Sequence, residues 1–306
     1  MKKLLFTCIL LCFIIYTFLF PELTVNAART GIQIWFTQIL PALLPFTILS
    51  AILVKSDFLR SFEGNANLIA IILTLSCGFI FGFPVGARLS ADFYKQKLLT
   101  KKQATILSIA TNNFSPMYVC GFALPLLFPA NDYYRTTYLL LYLVPLIIVT
   151  IILLVDVSFH HDRKSKPEVP ASSFQLNMSI MDSGIISGFT SLIKICGYIV
   201  LFSIATTLIT NILIHVLVQI PFAISLLLGN LEITNGINLL SDITINMDFK
   251  YICAIQLLSF GGLSGIAQTG SILSDAGLSL RKYIIGKAVL SLLLTLLSVI
   301  YVFFIR

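Results

Sequence analysis

Apolar runs long enough to cross a membrane fill this chain, and each half interrupts two of them with helix-breaking polar clusters in the same order. Gly82-Phe83-Pro84-Val85-Gly86-Ala87-Arg88 opens a stretch that ends, thirty residues on, in Asn112-Asn113-Phe114-Ser115-Pro116. Gly229-Asn230-Leu231-Glu232-Ile233-Thr234-Asn235-Gly236 lies 147 positions after Gly82 and opens another, which ends in Gly261-Gly262-Leu263-Ser264-Gly265. In hydrocarbon every backbone N–H and C=O must be satisfied within the protein, so a broken helix has to face protein or a wet cavity. Duplicated, interrupted hydrophobic segments are the sequence mark of a secondary transporter's substrate site.

Charged residues make up 11% of the 306 and hydrophobic ones 58%, against roughly 25% charged in soluble domains. A soluble core of this size cannot hide so much apolar surface, so the composition predicts an all-α polytopic membrane protein. The net charge of +7 does not point to nucleic acid, because the basic residues sit in short loops between apolar runs, as positive-inside topology requires. The six cysteines occur singly without CxxC spacing, and His160-His161 adjoin on a charged loop. Neither makes a metal site, and no cofactor motif is present.

The N-terminus imitates a signal peptide, with Lys2-Lys3, an apolar run and Val25-Asn26-Ala27 as a small-residue site. The run Leu4–Phe20 is long and heavy in Leu, Ile and Phe, which favours an uncleaved signal-anchor span over residues 1–30. Residues 31–155 then form a first repeat, 156–183 a cytoplasmic linker with Arg163, Lys164 and Lys166, and 184–306 a second, inverted repeat. In each repeat a span (Gly31–Val54; Gly184–Ile214) precedes a re-entrant hairpin (Leu68–Lys97; His215–Asn246). A broken span (Gln103–Phe128; Tyr251–Asp275) and a last span (Tyr138–Val155; Tyr283–Phe304) follow. Under this topology fifteen Lys and Arg fall on the cytoplasmic side and four outside (Arg29, Arg135, Lys250, Arg306), with Lys194 inside a span.

Hairpin tips and broken helices meeting near the midplane would offer half-helix termini to a solute. The candidate solute-binding residues are Gly82, Pro84, Gly86, Asn112, Asn113, Ser115, Glu232, Thr234, Gly261, Gly262, Ser264 and Gln268. Thr269 adds a further hydroxyl. Gly and Ser at these points would equally serve close helix packing. Glu232 is an acid flanked by apolar arms, and such a carboxylate is costly in a membrane. It is a candidate for proton or sodium coupling, with Lys194 as its expected partner. The alternative places it in water at the hairpin mouth, with Lys194 snorkelling to the interface. Arg88 follows the first tip and could meet an anionic group. Gly262-Leu263-Ser264-Gly265 matches the G-x-S-G of intramembrane serine proteases, but no histidine follows Ser264 to act as its base, so no enzyme is expected.

The segments Gly82–Arg88 and Asn112–Pro116, with Gly261-Gly262-Leu263-Ser264 and Gln268, resemble the sporulation integral membrane proteins of the YlbJ type. These belong to a wider group carrying the nucleoside-recognition (Gate) domain, related to concentrative nucleoside carriers. The resemblance runs from about Gly31 to Tyr301. It implies an inverted-repeat protein of the cell membrane, in a sporulating cell the mother-cell or forespore membrane, and a role in making resistant spores. Glu232 has no acidic counterpart near Pro84, so the paired Gln/Glu pattern of the nucleoside carriers is not repeated in both hairpins. The expected function is a transporter or gated pore for a small polar solute, moved alone or with H+ or Na+. The alternative is a non-transporting scaffold in spore envelope assembly. Apolar faces serve lipid and a second copy of the chain alike, which leaves homo-oligomerisation open.

Overall fold

A computed structural model describes residues 2–62, 65–130, 133–159, 174–216 and 221–306. His160-His161 and the linker residues Arg163, Lys164 and Lys166 lie outside the described residues. Helices are the regular elements among the described residues, with no strand among them.

Helix α1 (Lys2–Leu19) meets α2 (Pro21–Ile34) with an angle of 106° between them. Pro21 starts α2, where its missing N–H costs nothing. A π turn (Trp35–Ile39) carries α2 straight into α3 (Leu40–Lys55), so residue 31 lies inside one continuous helical run. Next come α4 (Ala66–Phe81) and α5 (Val85–Lys95), then α6 (Lys101–Thr111), which starts at a capping box between Thr100 and Gln103. After the break at Asn112–Ser115 follow α7 (Pro116–Tyr118), a π turn and α8 (Leu124–Leu127). Helix α9 (Tyr134–Tyr138) runs through a π turn into α10 (Val144–Phe159).

The second half holds α11 (Met178–Val216), α12 (Pro221–Leu231), α13 (Ile233–Asp242), α14 (Met247–Phe260), α15 (Gly262–Asp275) and α16 (Leu280–Ile300). Among the described residues, four stretches are long and apolar enough to cross a membrane by themselves: Tyr134–Val155, Met178–Asn211, Met247–Asp275 and Leu280–Ile305. The bent pair α1 and α2 makes a fifth if it is one span. Ile193, Leu201, Leu292, Leu296 and Phe303 stay exposed, a pattern penalised in water and suited to lipid. The chain is a multi-pass helical membrane protein.

Helix α11 has 39 residues, about 58 Å at 1.5 Å per residue, and it lies against α2 and α3 over much of that length. Their registers run in opposite directions. Gly184 faces Ile52, Gly188 faces Ile48 and Gly31 faces Ser203. Lys55 Nζ donates to the Ser183 carbonyl at 2.6 Å, and Trp35 Nε1 to that of Leu192 at 2.9 Å. The helices that open the two halves are therefore antiparallel. Small residues let the two backbones approach closely.

The packing partners also exchange when the halves are exchanged. Helix α4 packs on α5 and α6 as α12 packs on α13 and α14, and α10 packs on α6 as α16 packs on α14. Helix α15 touches α5, and α8 touches α13. Each hairpin closes on a pair of glycines. Gly78 faces Gly86 and Thr111 in the first, and Gly229 faces Gly236 in the second.

Candidate functional site

The first hairpin turns at Gly82, whose φ of +68° suits glycine. A Cβ there would collide with Ser115 N and lie 2.7 Å from the Asn113 carbonyl. The tip is thus pressed onto the helix break of its own half, and Phe83 N–H donates to the Asn113 carbonyl at 2.6 Å. The second half repeats the arrangement. At its break, Gly261 (φ +85°) and Gly262 (φ +70°) adopt left-handed backbone. A Cβ on Gly262 would lie 3.3 Å from the Gly229 carbonyl oxygen and 3.4 Å from that of Leu231, at the second tip.

Side chains then join the halves. Asn112 Nδ2 donates to Thr269 Oγ1 at 2.9 Å and to the Tyr283 hydroxyl at 2.8 Å. Lys287 Nζ donates to Asn113 Oδ1 at 2.6 Å. The Tyr118 hydroxyl lies 3.5 Å from Thr234 Oγ1, and the Phe114 ring stacks on Tyr118 at 4.8 Å. Phe114 also approaches Gly261, and Phe83 approaches Gly265. The four clusters singled out in the sequence lie at one junction.

Two cavities adjoin this junction. A void of about 10 Å³ is lined by Phe83, Asn112, Phe114, Gly261, Tyr283 and Lys287, among others. A larger cavity of about 440 Å³ lies among α3, α5, α11 and α15, with Pro84, Arg88 and Gln268 in its wall. Arg88 is 8% exposed. Its guanidinium donates to Ser191 Oγ at 2.5 Å and Ser187 Oγ at 2.9 Å, and Nε lies 3.6 Å from Asp92. Gln268 donates from Nε2 to Ser264 Oγ at 3.1 Å, while its buried Oε1 has no protein partner. At the rim are the exposed side chains of Lys55, Lys95, Lys194 and Asp275.

The expected site residues therefore divide. Pro84, Arg88, Lys194 and Gln268 line the larger cavity, and Asn112 and Gly261 line the small void. Gly82 and Gly86 serve backbone contact, Ser115 caps α7 by accepting from Tyr118 N at 3.2 Å, Asn113, Thr234 and Gly262 make contacts across the junction, and Ser264 accepts from Gln268 within α15.

Glu232 departs from expectation. It is buried and lines neither cavity. Its two carboxylate oxygens accept from Thr234 N at 3.2 Å and Asn235 N at 2.9 Å. It is the N-cap of α13, where a carboxylate meets free N–H groups and the positive end of the helix dipole. Lys194 is not its partner. That ammonium lies 3.7 Å from Asp275, with both side chains largely exposed.

Two features escaped the sequence reading. One is the polar stripe Ser183, Ser187, Thr190, Ser191 and Lys194 on α11, whose helical spacing is legible in an otherwise apolar run. The other is Lys287, which the topology count groups with the cytoplasmic charges, whereas it is 2% exposed inside α16. Its signal is the stripe Tyr283, Lys287, Ser291 and Ser298, all buried.

No protein-family model matches the chain, and no solved structure matches it. The chain is 26% identical to the sporulation integral membrane protein YlbJ of Bacillus subtilis (strain 168), across 87% of its own length and 74% of the relative's. In sequence and in its multi-pass helical architecture, the chain is thus similar to a sporulation integral membrane protein of the YlbJ type.

Proposed function

We propose that this protein is a transporter or gated pore of sporulating cells, moving a small polar solute through a site between two inverted repeats, and that it is not an enzyme. The observation that carries the reading is the buried Arg88 guanidinium in the wall of a 440 Å³ cavity that reaches the first hairpin tip at Pro84. A cavity of that volume falls within the range of small-molecule sites. Ser187 and Ser191 hold the guanidinium in place, and the free Gln268 Oε1 accepts a donor from the solute. Lys55, Arg88, Lys95 and Lys194 face only Asp92 and Asp275 among the cavity's charged residues. This balance favours a solute with an anionic group over a neutral nucleoside. The antiparallel openings of the two halves and their exchanged packing support alternating access about the junction.

The test is uptake by proteoliposomes incubated with the small-molecule extract of sporulating cells, analysed by mass spectrometry. Wild-type vesicles should accumulate a restricted set of anionic solutes. Arg88→Gln should cut that uptake about tenfold or more, as loss of a charge-assisted hydrogen bond does. Wild-type vesicles that accumulate nothing beyond empty controls, from a protein that still restores spore resistance in cells, would replace this reading with a scaffold role.

A further inference from the structure

Lys287 is a buried cation that the proposed solute route does not use. It is 2% exposed, no carboxylate lies within ion-pair distance of it among the described residues, and its ammonium donates to the neutral Asn113 Oδ1. A charge in such a place needs compensation from somewhere. Backbone carbonyls at helix ends are one source. Helix α6 ends at Thr111 and α14 at Phe260, and Asn112 and Gly261, which follow those ends, line one void with Lys287. Each helix C-terminus carries roughly half a negative charge. The positive end of α15, at Gly262, faces instead the α12 carbonyls of Gly229, Asn230 and Leu231.

The void supplies a second, independent sign. The buried Asn112 Oδ1 has no protein partner, and it sits beside the void of about 10 Å³ that Lys287 also lines. That volume is about the least that holds one water. An acceptor without a donor and a multi-donor ammonium with one acceptor thus border a space for a single bridging molecule.

We propose that the Lys287 ammonium is a resident cation at the meeting point of the two broken helices, standing where a transporter of this architecture would otherwise hold a coupling ion such as Na+. It neutralises both C-termini at once and ties the Asn112–Ser115 break to α16. Its consequence for flux rests on the transport reading, whereas its role as a cation site does not. Solute movement then needs no sodium, because the cation is tethered.

Truncation offers a direct test, since Lys287→Ala removes the equivalent of one n-propylammonium ion. In detergent, the Ala variant should unfold at a lower temperature than wild type. Added n-propylammonium should raise its Tm by several degrees, n-propanol should not, and wild type should respond to neither. Equal rescue by propanol would make the site a packing defect and overturn the proposal. Should the Ala variant fail to fold, Lys287→Met supplies an apolar side chain of similar length. Loss of uptake by the Met variant supports the proposal, and full uptake overturns it. Wild-type uptake that is equal in sodium and choline buffers supports it, and a sodium requirement sinks it. Specific propylammonium rescue together with a wild-type protein that moves no solute would leave the cation site standing and remove the transport reading.

Discussion

Asn112 Nδ2, at the helix break of the first half, donates to Thr269 Oγ1 of the second half across 2.9 Å. The two residues are 157 positions apart, and both are buried. The bond makes the relative position of the two halves depend on a short-range, directional contact rather than on apolar packing alone. In lipid that matters, since apolar faces gain little by meeting one another.

Replacing Asn112 by Ala removes both that bond and the one to the Tyr283 hydroxyl. Two buried neutral hydrogen bonds correspond to about 2 kcal/mol. Asn112→Ala should therefore lower the thermal unfolding temperature of the detergent-solubilised protein. Thr269→Val, which removes only one of the two acceptors, should have the smaller effect. An unchanged Tm in both variants would show that the junction is held by packing.

Glycine at the hairpin crossing is a steric requirement. A Cβ on Gly236 would collide with Gly229 Cα, backbone against backbone, where no side chain can turn aside. Gly236→Ala should cost about 3 kcal/mol and yield aggregated protein on size-exclusion chromatography. Gly121→Ala is the control, because a Cβ there meets nothing within 4 Å, and it should purify as wild type. If both behave alike, the hairpin does not close as described.

The breaks were legible because each carries residues that cannot continue a helix: Gly82 and Pro84, Asn112 to Pro116, and Gly261-Gly262. The partners of individual charges were not legible. Glu232 stands beside the N–H groups of Thr234 and Asn235, a local solution that needs no lysine, while Lys194 and Asp275 meet only through the tertiary packing of α11 on α15. Lys287 lies five residues beyond Lys282 in a span with basic residues at its start, so counting by topology hid its burial. The π turns at Trp35–Ile39 and Leu139–Leu143 leave no compositional trace.

The proposed inverted repeat makes a labelling prediction. The exposed residues Lys97, after the first hairpin, and Asn246, after the second, should lie on opposite sides of the membrane. Single cysteines at these positions, in a protein stripped of its six native ones, should react with an impermeant maleimide from the cytoplasmic and outer faces respectively. Reaction of both from one face would abolish the inverted repeat, and with it the argument for alternating access.

Glu232 provides the last prediction, because its capping geometry separates two roles that the sequence left joined. As the N-cap of α13, its carboxylate satisfies two N–H groups at the second hairpin tip, and a buried tip with free N–H groups would be unstable. Loss of such a cap costs about 1 kcal/mol. Glu232→Gln keeps one side-chain oxygen to accept, so it should lower Tm less than Glu232→Ala. If capping is the whole role, heat-resistant spore yield should follow this order of stability, with the Gln variant near wild type. Capping alone cannot explain a Gln variant that has normal Tm and normal expression but makes heat-sensitive spores. That result would return the negative charge itself to the solute or ion path.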